Sequence, residues 1–232
     1  MSVTKESSRV RAAQIGIQIL LPFIIVLTSI FLVLVTAKFW VSIEYRMPGF
    51  PEDRFGFTLQ DRLYWSSVDI DYLLSNKSLD YFDAFFLPDG SPMHNERELR
   101  HMEDVNLLLQ SSIRVWIVGW ALLLVLSVLL WRAGAKQAVL QGLVSGSKLT
   151  LILMAVLALG TLLAFGALFV GFHRLFFEGT TWLFPYTDTF IRLYPERFWR
   201  DAFIFLAIVN VLVATSVFFV SRRVLNKTLE QP

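Results

Sequence analysis

Four long apolar stretches constrain this chain more than any other feature of its sequence. They cover residues 15–37, about 113–131, 149–172 and about 202–220. A helix of about 20 apolar residues crosses the hydrocarbon core of a bilayer. Only 17% of the residues are charged, against about 25% in a typical soluble domain. The sequence therefore predicts an all-α membrane protein with four transmembrane helices, forming one membrane domain over residues 1–232.

The first apolar stretch has two interpretations. A basic start, an apolar segment and the small-residue sequence Val35-Thr36-Ala37 together are typical of a cleaved signal peptide. The stretch is longer than the apolar region of such a peptide, which has about 7–15 residues. We therefore favour a retained membrane anchor.

The charged residues between the stretches predict the orientation of the chain. The N-terminal segment, the segment 132–148 and the C-terminal tail each carry three Lys or Arg residues. Residues 42–111 carry six basic and thirteen acidic residues, a net charge of six minus thirteen, or −7. Because basic segments stay in the cytoplasm, we expect both termini inside the cell and the loops 42–111 and 172–201 outside.

The two outer loops are predicted to form a cap. The loop 172–201 is rich in Phe, Trp and Tyr, which favour the membrane interface. In the loop 42–111, two pairs match the helix capping box, Thr58 with Asp61 and Asn95 with Glu98. The second pair would start a helix that carries His101 in its second turn.

The sequence excludes several kinds of site. It contains no cysteine, which excludes a disulfide, a thiolate nucleophile and a cysteine-bound metal. It has neither a G-x-S-x-G nucleophile motif nor a glycine-rich phosphate loop. The basic residues lie beside apolar stretches rather than in a stripe with aromatic residues, so we expect no binding of nucleic acid. An enzyme of this kind needs a substrate that brings its own nucleophile.

Two of the three histidines are candidates for chemistry. His101 precedes the second apolar stretch and His173 follows the third, so both are expected at the same depth on the outer side. Either one alone is more often a polar residue at the interface, and together they favour a functional site. His94 has no comparable placement and is interpreted as structural. Asp104 shares a helix face with His101 and is a candidate for orienting its ring.

A metal site is the alternative use of these residues. The pair Glu98-x-x-His101 matches half of a di-metal carboxylate motif, which needs a second such pair that the sequence lacks. A mononuclear site made of two histidines and a carboxylate stays open.

The aromatic residues after His173 have two interpretations. They could line a pocket for an acyl chain, or they could form the aromatic belt found at membrane interfaces. The candidates for contact with a substrate are Phe176, Phe177, Trp182 and Tyr186, with Phe184 beside them. The three glycines of the third stretch, Gly160, Gly166 and Gly171, predict close approach of a neighbouring helix.

Three sequence motifs resemble those of a known family. HMEDV at 101–105, FHRLFF at 172–177 and LYPERFWRD at 193–201 are similar to segments of the bacterial lipoprotein intramolecular transacylases. The resemblance implies four helices in the bacterial cytoplasmic membrane, with an active site where an extracytoplasmic cap meets the membrane. It implies His101 and His173 as catalytic residues, and neither a metal nor another cofactor.

The resemblance also implies the reaction. Members of the family move the sn-2 acyl chain of a diacylglyceryl lipoprotein to the α-amino group of its N-terminal cysteine, which leaves a lyso-form lipoprotein. The expected partners are therefore a diacylated lipoprotein and membrane lipids. One histidine would accept the amine proton while the other donates to the departing glyceryl oxygen, and the sequence leaves open which does which. The competing hypotheses are a non-enzymatic membrane protein whose cap binds a lipid or a partner, and a metal-dependent membrane hydrolase.

Overall fold

The computed structural model describes residues 2–75 and 77–230 of the chain, with side chains from residue 7 onward. Seven α-helices are present in this part of the chain: α1 (Ser2–Val35), α2 (Ala37–Glu44), α3 (Leu59–Leu73), α4 (Glu96–Arg132), α5 (Lys136–Phe176), α6 (Thr189–Leu193) and α7 (Glu196–Glu230). A 3-10 helix covers Leu79–Ala84, and the β structure of these residues is one isolated bridge between Phe86 and Pro92. The prediction of an all-α protein is confirmed.

Four of these helices, α1, α4, α5 and α7, are long and apolar enough to cross a membrane. The prediction of four spans is confirmed, although the helices extend beyond the apolar stretches. Most of the segment 132–148 is helical, because α5 already begins at Lys136. Gly134 ends α4 with a positive φ of 73°, and the Ala135 N–H donates to the Leu130 carbonyl at 2.9 Å, as in a glycine-ended helix.

The contacts of the chain group into two compact units. The first consists of Met1–Ile30, Ser112–Leu159 and Phe205–Pro232, and the second of Phe31–Ser111 and Gly160–Ile204. The core of the first unit is a cluster of buried apolar side chains: Ile17, Leu21, Ile24, Ile25, Leu123, Leu130, Ala138, Val139 and Ala214. The α1 helix thus packs as part of this core. The assignment of residues 1–232 to one membrane domain stays a prediction.

Two glycines allow α5 to approach α1 closely in the first unit. A Cβ atom at Gly142 would lie 2.9 Å from Ile17 Cγ2 and 3.0 Å from the Gln14 carbonyl oxygen. At Gly146 it would lie 2.9 Å from a side-chain atom of Leu21. Small residues at these two positions, one helical turn apart, are therefore required for the packing of the two helices.

The glycines that the sequence indicated for this role do not perform it, and that prediction is wrong. A Cβ atom at Gly166 or Gly171 would meet nothing within 4 Å, and one at Gly160 would meet Leu168 of the same helix. A glycine permits close approach only where it faces a neighbouring helix, and the apolar stretch alone does not reveal that face.

We expect Gly146→Val to destabilise the protein by about 1–3 kcal/mol, because the added atoms overpack a contact that involves the backbone of α1. The measurement is thermal unfolding in detergent, followed by tryptophan fluorescence. Gly171→Val is the matched control, since it places the same side chain in the same helix with open space around it. Equal loss of stability in both variants would contradict the packing role of Gly146.

The second unit holds the cap, defined here as residues 45–95 and 177–195. Both predicted capping boxes are confirmed. The Thr58 hydroxyl accepts from the Asp61 N–H while the Asp61 carboxylate accepts from the Thr58 N–H. Likewise, the Asn95 side chain accepts from the Glu98 N–H at 3.1 Å, and Glu98 Oε2 accepts from the Asn95 N–H at 2.8 Å. The second box starts α4.

The two loops pack together through buried polar contacts. Arg192 forms an ion pair with Asp53 at 3.1 Å and lies over the ring of Phe57, 3.3 Å from its centroid. The Tyr45 hydroxyl donates to the Leu193 carbonyl at 2.9 Å. The prediction of a cap built from the first and third loops between the spans is confirmed.

Candidate active site

The structure brings His101 and His173 together. His101 lies in the second turn of α4, which the Asn95 capping box begins, and His173 lies in the last turn of α5. Their ring centroids are 6.0 Å apart and their planes differ by 25°. Both residues are only 8% exposed. Two buried imidazoles on different helices therefore pack next to each other.

The hydrogen bond of His173 sets its tautomer. Its Nδ1 lies 2.8 Å from the backbone carbonyl oxygen of Phe169, one turn earlier in α5. Because a carbonyl oxygen only accepts hydrogen bonds, we assign the ring hydrogen to Nδ1. In the neutral ring, Nε2 then carries a lone pair. His173 is thus arranged to accept a proton at Nε2.

His101 is held by aromatic rings. The ring centroids of Phe177, Phe184 and Phe190 lie 5.0, 5.4 and 6.0 Å from its own, each in an edge-on arrangement. Its Nδ1 is buried and has no hydrogen-bond partner within the described part of the chain. A buried polar atom of this kind is rare in a native structure. It leaves His101 free to bond to a substrate.

Two of the predicted substrate-contacting residues reach the histidines. Phe177 follows His173 by one helical turn and lies 5.5 Å from its ring. Trp182, in the third loop, lies 4.8 Å from the His173 ring. Both side chains are buried. They form an apolar wall on which an acyl chain or a glyceryl group could pack.

The other two predicted contacts face outward. Phe176 is 47% exposed and Tyr186 is 82% exposed. Phe176 shares a helix face with Phe172, whose ring is 4.9 Å away, whereas Phe177 shares its face with His173. The structure therefore does not bring Phe176 and Tyr186 to the histidines.

Asp104 connects α4 with the third loop. Its carboxylate accepts a hydrogen bond from the Thr181 hydroxyl at 3.3 Å. Thr181 directly precedes Trp182 in sequence. This hydrogen bond to Asp104 therefore helps to position Trp182 in the apolar wall. Its role in orienting His101 stays a prediction.

Beside the site lies a buried polar network that the sequence did not predict, because His94 was interpreted only as a structural residue. His94 Nε2 lies 2.7 Å from Asp69 Oδ1, and its Nδ1 lies 3.7 Å from Glu98 Oε2. The Tyr194 hydroxyl donates to the other Asp69 oxygen at 2.9 Å. The spacing of His94 and Glu98, four residues apart, was the one local signal, while Asp69 comes from the distant helix α3.

The charge of His94 follows from this network. Burial lowers the pKa of His94, but the carboxylates of Asp69 and Glu98 outweigh it and raise this pKa to about 9. At neutral pH the ring is therefore an imidazolium between two carboxylates. Such a buried ion pair is stable only when its partners stay in place.

The network is connected to the histidine pair through Phe190. Glu98 Oε1 accepts a hydrogen bond from the Phe190 N–H at 2.7 Å. The Phe190 ring stacks on His94 at 4.9 Å, with 14° between the planes, and it also makes the edge-on contact with His101. The imidazolium and its carboxylates thus hold α6 against the active-site volume.

We expect the stability that His94 contributes to be lost as the pH rises. The pKa of His94 is about 9 in the folded protein and about 6.5 in an unfolded chain. A raised pKa gives stability that is complete below pH 6.5 and disappears as the pH passes 9. Thermal unfolding between pH 6 and 10 should therefore show a steeper fall for the wild type than for His94→Gln. Parallel curves for the two proteins would contradict the raised pKa.

The metal alternative lacks a ligand set in the described side chains. Within residues 7–75 and 77–230, no group of three or more His, Cys, Asp or Glu side chains is arranged to hold a metal ion. The carboxylate of Glu98, from the Glu98-x-x-His101 pair, accepts hydrogen bonds from the backbone of Asn95 and Phe190.

Comparison with other sequences gives two matches. The sequence model of the family described as lipoprotein intramolecular transacylase Lit matches residues 15–199. An uncharacterized protein of Aquifex aeolicus is 33% identical over 187 residues, which cover 78% of this chain and 80% of that protein.

Solved structures give a matching fold. The membrane integral lipoprotein intramolecular transacylase Lit from Bacillus cereus is similar with a TM-score of 0.79 and 21% identity, over 97% of this chain and 100% of that one. A second structure of that protein, which carries a substitution, has a TM-score of 0.77 and 19% identity, over 100% of this chain and 98% of the other. At this identity the likeness concerns the fold.

Proposed function

Because the chain belongs to the family of lipoprotein intramolecular transacylases, it is a membrane acyltransferase, and we propose that His101 and His173 carry out its reaction. The reaction moves the sn-2 acyl chain of a diacylglyceryl lipoprotein to the amine of its N-terminal cysteine. The observation that carries this proposal is the pair of buried imidazole rings with centroids 6.0 Å apart.

His173 is the proposed base. The substrate amine attacks the carbonyl carbon of the sn-2 ester, and Nε2 of His173 accepts one amine proton. The bond from this carbon to the glyceryl oxygen then breaks, and His101 donates a proton to that oxygen. One proton leaves the amine and one reaches the new hydroxyl, so the substrate balances. The proton gained by His173 returns to His101, and both rings end in their starting protonation states. The assignment of the base rests on the hydrogen bond between His173 Nδ1 and the Phe169 carbonyl.

The site contributes to the rate mainly by confinement. Holding an amine and an ester in reactive geometry can supply about 7–11 kcal/mol of the barrier. The wall formed by Phe177 and Trp182 also excludes water, which would otherwise hydrolyse the ester. We propose that both side chains pack against the substrate, and that the exposed Phe176 and Tyr186 contact membrane lipid.

The orientation in the membrane is also a proposal. Three basic segments favour the cytoplasm: the N-terminus, the segment 132–148 where α4 ends and α5 begins, and the C-terminus. The termini would then lie inside the bacterial cell and the histidine pair outside the cytoplasmic membrane, where the partners are diacylated lipoproteins and lipids. This is the side on which a diacylated lipoprotein would present its N-terminal amine.

Cysteine labelling tests this orientation, because the chain contains no cysteine of its own. We expect a membrane-impermeant maleimide to label Asp89→Cys on intact spheroplasts, since Asp89 is an exposed residue of the cap. Lys227→Cys, exposed at the end of α7, should react only after lysis. The opposite pattern would reverse the orientation.

The activity is tested in a bacterial strain whose lipoproteins are only diacylated. On expression of this chain, we expect mass spectrometry to show lipoprotein N-termini in the lyso form, with one acyl chain on the amine. Diacyl lipoproteins alone would favour the non-enzymatic hypothesis. Release of free fatty acid that a chelator stops would favour the metal-dependent hydrolase.

A further inference from the structure

The indole nitrogen of Trp182 is a buried hydrogen-bond donor without an acceptor. Trp182 is 9% exposed, and its Nε1 has no hydrogen-bond partner among the residues that the structure describes. An indole N–H can only donate. Because an unpaired buried donor costs free energy, natural proteins keep few of them. An acceptor supplied by a ligand would account for this one.

The position of this donor is beside the reacting groups. The indole ring lies 4.8 Å from the His173 ring, tilted by 35°. A second unpaired buried atom, Nδ1 of His101, belongs to the ring whose centroid lies 6.0 Å from that of His173. The phenyl rings of Phe177, Phe184 and Phe190 surround the His101 ring and offer neither a donor nor an acceptor. Two unsatisfied polar atoms in an aromatic pocket indicate where the polar part of a ligand lies.

Acyl transfer needs a donor at this place. When the amine attacks the ester, the electron pair of the carbonyl double bond moves to its oxygen, which becomes negatively charged. The pair returns to form the amide carbonyl when the bond to the glyceryl oxygen breaks. A fixed donor at the carbonyl oxygen stabilises this charge more than it stabilises the neutral ester. Where water is excluded, this stabilisation of the negative charge is large, because the local dielectric constant is low.

We propose that the Trp182 indole N–H donates a hydrogen bond to the carbonyl oxygen of the sn-2 ester and stabilises the oxyanion. This role rests on the acyl transfer proposed above and makes Trp182 a catalytic residue rather than only a wall of the pocket. The indole keeps its proton throughout, and both proton transfers stay with His101 and His173.

Trp182→Phe tests the proposal, because it keeps an aromatic ring in the wall and removes the donor. Removal of one oxyanion donor typically lowers kcat by about 10²–10³-fold, and we expect a loss in that range with KM changed by less than about threefold. A side chain that only packs against the substrate would instead change KM. The matched control is Trp65→Phe, a buried tryptophan in α3 of the cap, for which kcat should stay unchanged.

An NMR measurement distinguishes hydrogen bonding by the Trp182 N–H from packing of the Trp182 ring. The purified protein in detergent is labelled with 15N-tryptophan, and the Trp182 indole signal is identified among the seven tryptophans by its absence in Trp182→Phe. We expect this N–H proton to shift downfield when a diacylglyceryl phosphonate, whose tetrahedral anion resembles the intermediate, is added. The Trp65 signal should not move.

The outcomes separate this inference from the proposed function. An unchanged kcat in Trp182→Phe, a change confined to KM, or an indole signal that ignores the phosphonate would each overturn the oxyanion role. Activity retained in both His101→Ala and His173→Ala would overturn the proposed function itself. Inactive histidine variants with a fully active Trp182→Phe would remove only the role of Trp182.

Discussion

His173→Ala should abolish the formation of lyso-form lipoprotein, with a loss of at least about 10²–10⁴-fold in rate. The reason is that general base catalysis typically contributes this factor. The attacking amine nitrogen becomes positively charged as the new bond forms, unless a base accepts its proton. The measurement is the fraction of lyso-form N-termini by mass spectrometry, in membranes that contain equal amounts of each variant.

The controls for this prediction come from the same helix. Arg174→Ala changes the neighbouring, exposed residue and should leave the activity unchanged. His101→Ala should be as inactive as His173→Ala, and the double variant should be hardly worse than either, because the two rings act as one unit. Near-normal product from His173→Ala in a protein of unchanged thermal stability would exclude His173 as the base.

His94→Ala should have the largest effect on stability, a loss of roughly 3–5 kcal/mol, because it leaves the buried carboxylate of Asp69 without its counter-charge. Thermal unfolding in detergent measures this loss. The matched control is Lys38→Ala, which breaks the ion pair with Asp71. That pair has the same 2.7 Å separation, but both side chains are about half exposed. An exposed pair contributes at most about 1 kcal/mol.

A double substitution tests whether the loss of stability comes from the unpaired charge of Asp69. His94→Gln combined with Asp69→Asn removes both charges and should recover part of the stability that His94→Ala loses. If His94→Ala loses no more stability than Lys38→Ala, the ion pair does not hold the cap.

Because α6 is attached to Glu98 and His94 through Phe190, we also expect His94→Ala to lower the activity.

The features that the sequence predicted correctly depend on local order along the chain. The four apolar stretches become helices because a bilayer leaves the backbone few other structures. The capping boxes at Thr58 and Asn95 formed as predicted because each involves residues three apart. His101 and His173 were found together because each adjoins an apolar stretch on the same predicted side.

The features that sequence reasoning missed depend on which way a side chain faces. Phe176 and Phe177 are neighbours of the same type, yet only Phe177, directly after the end of α5, has its ring against His173. Gly142 and Gly146 face α1, whereas Gly166 and Gly171 face no neighbour. Asp69 of α3 meets His94 from 25 positions away in sequence, a contact that the spacing within α3 does not reveal. Periodicity within one element does not determine which neighbour the element will meet.

The hydrogen bond from His173 to the Phe169 carbonyl has an evolutionary consequence. In enzymes with a Ser-His-Asp triad, one mutation of the aspartate puts the wrong tautomer on the histidine and disables it. Here the acceptor belongs to the main chain of the same helix, so every amino acid at position 169 presents the same oxygen. No side-chain replacement at position 169 that leaves the helix intact therefore changes the tautomer of the proposed base. Residues around His173 can be substituted during evolution while its ring hydrogen stays on Nδ1.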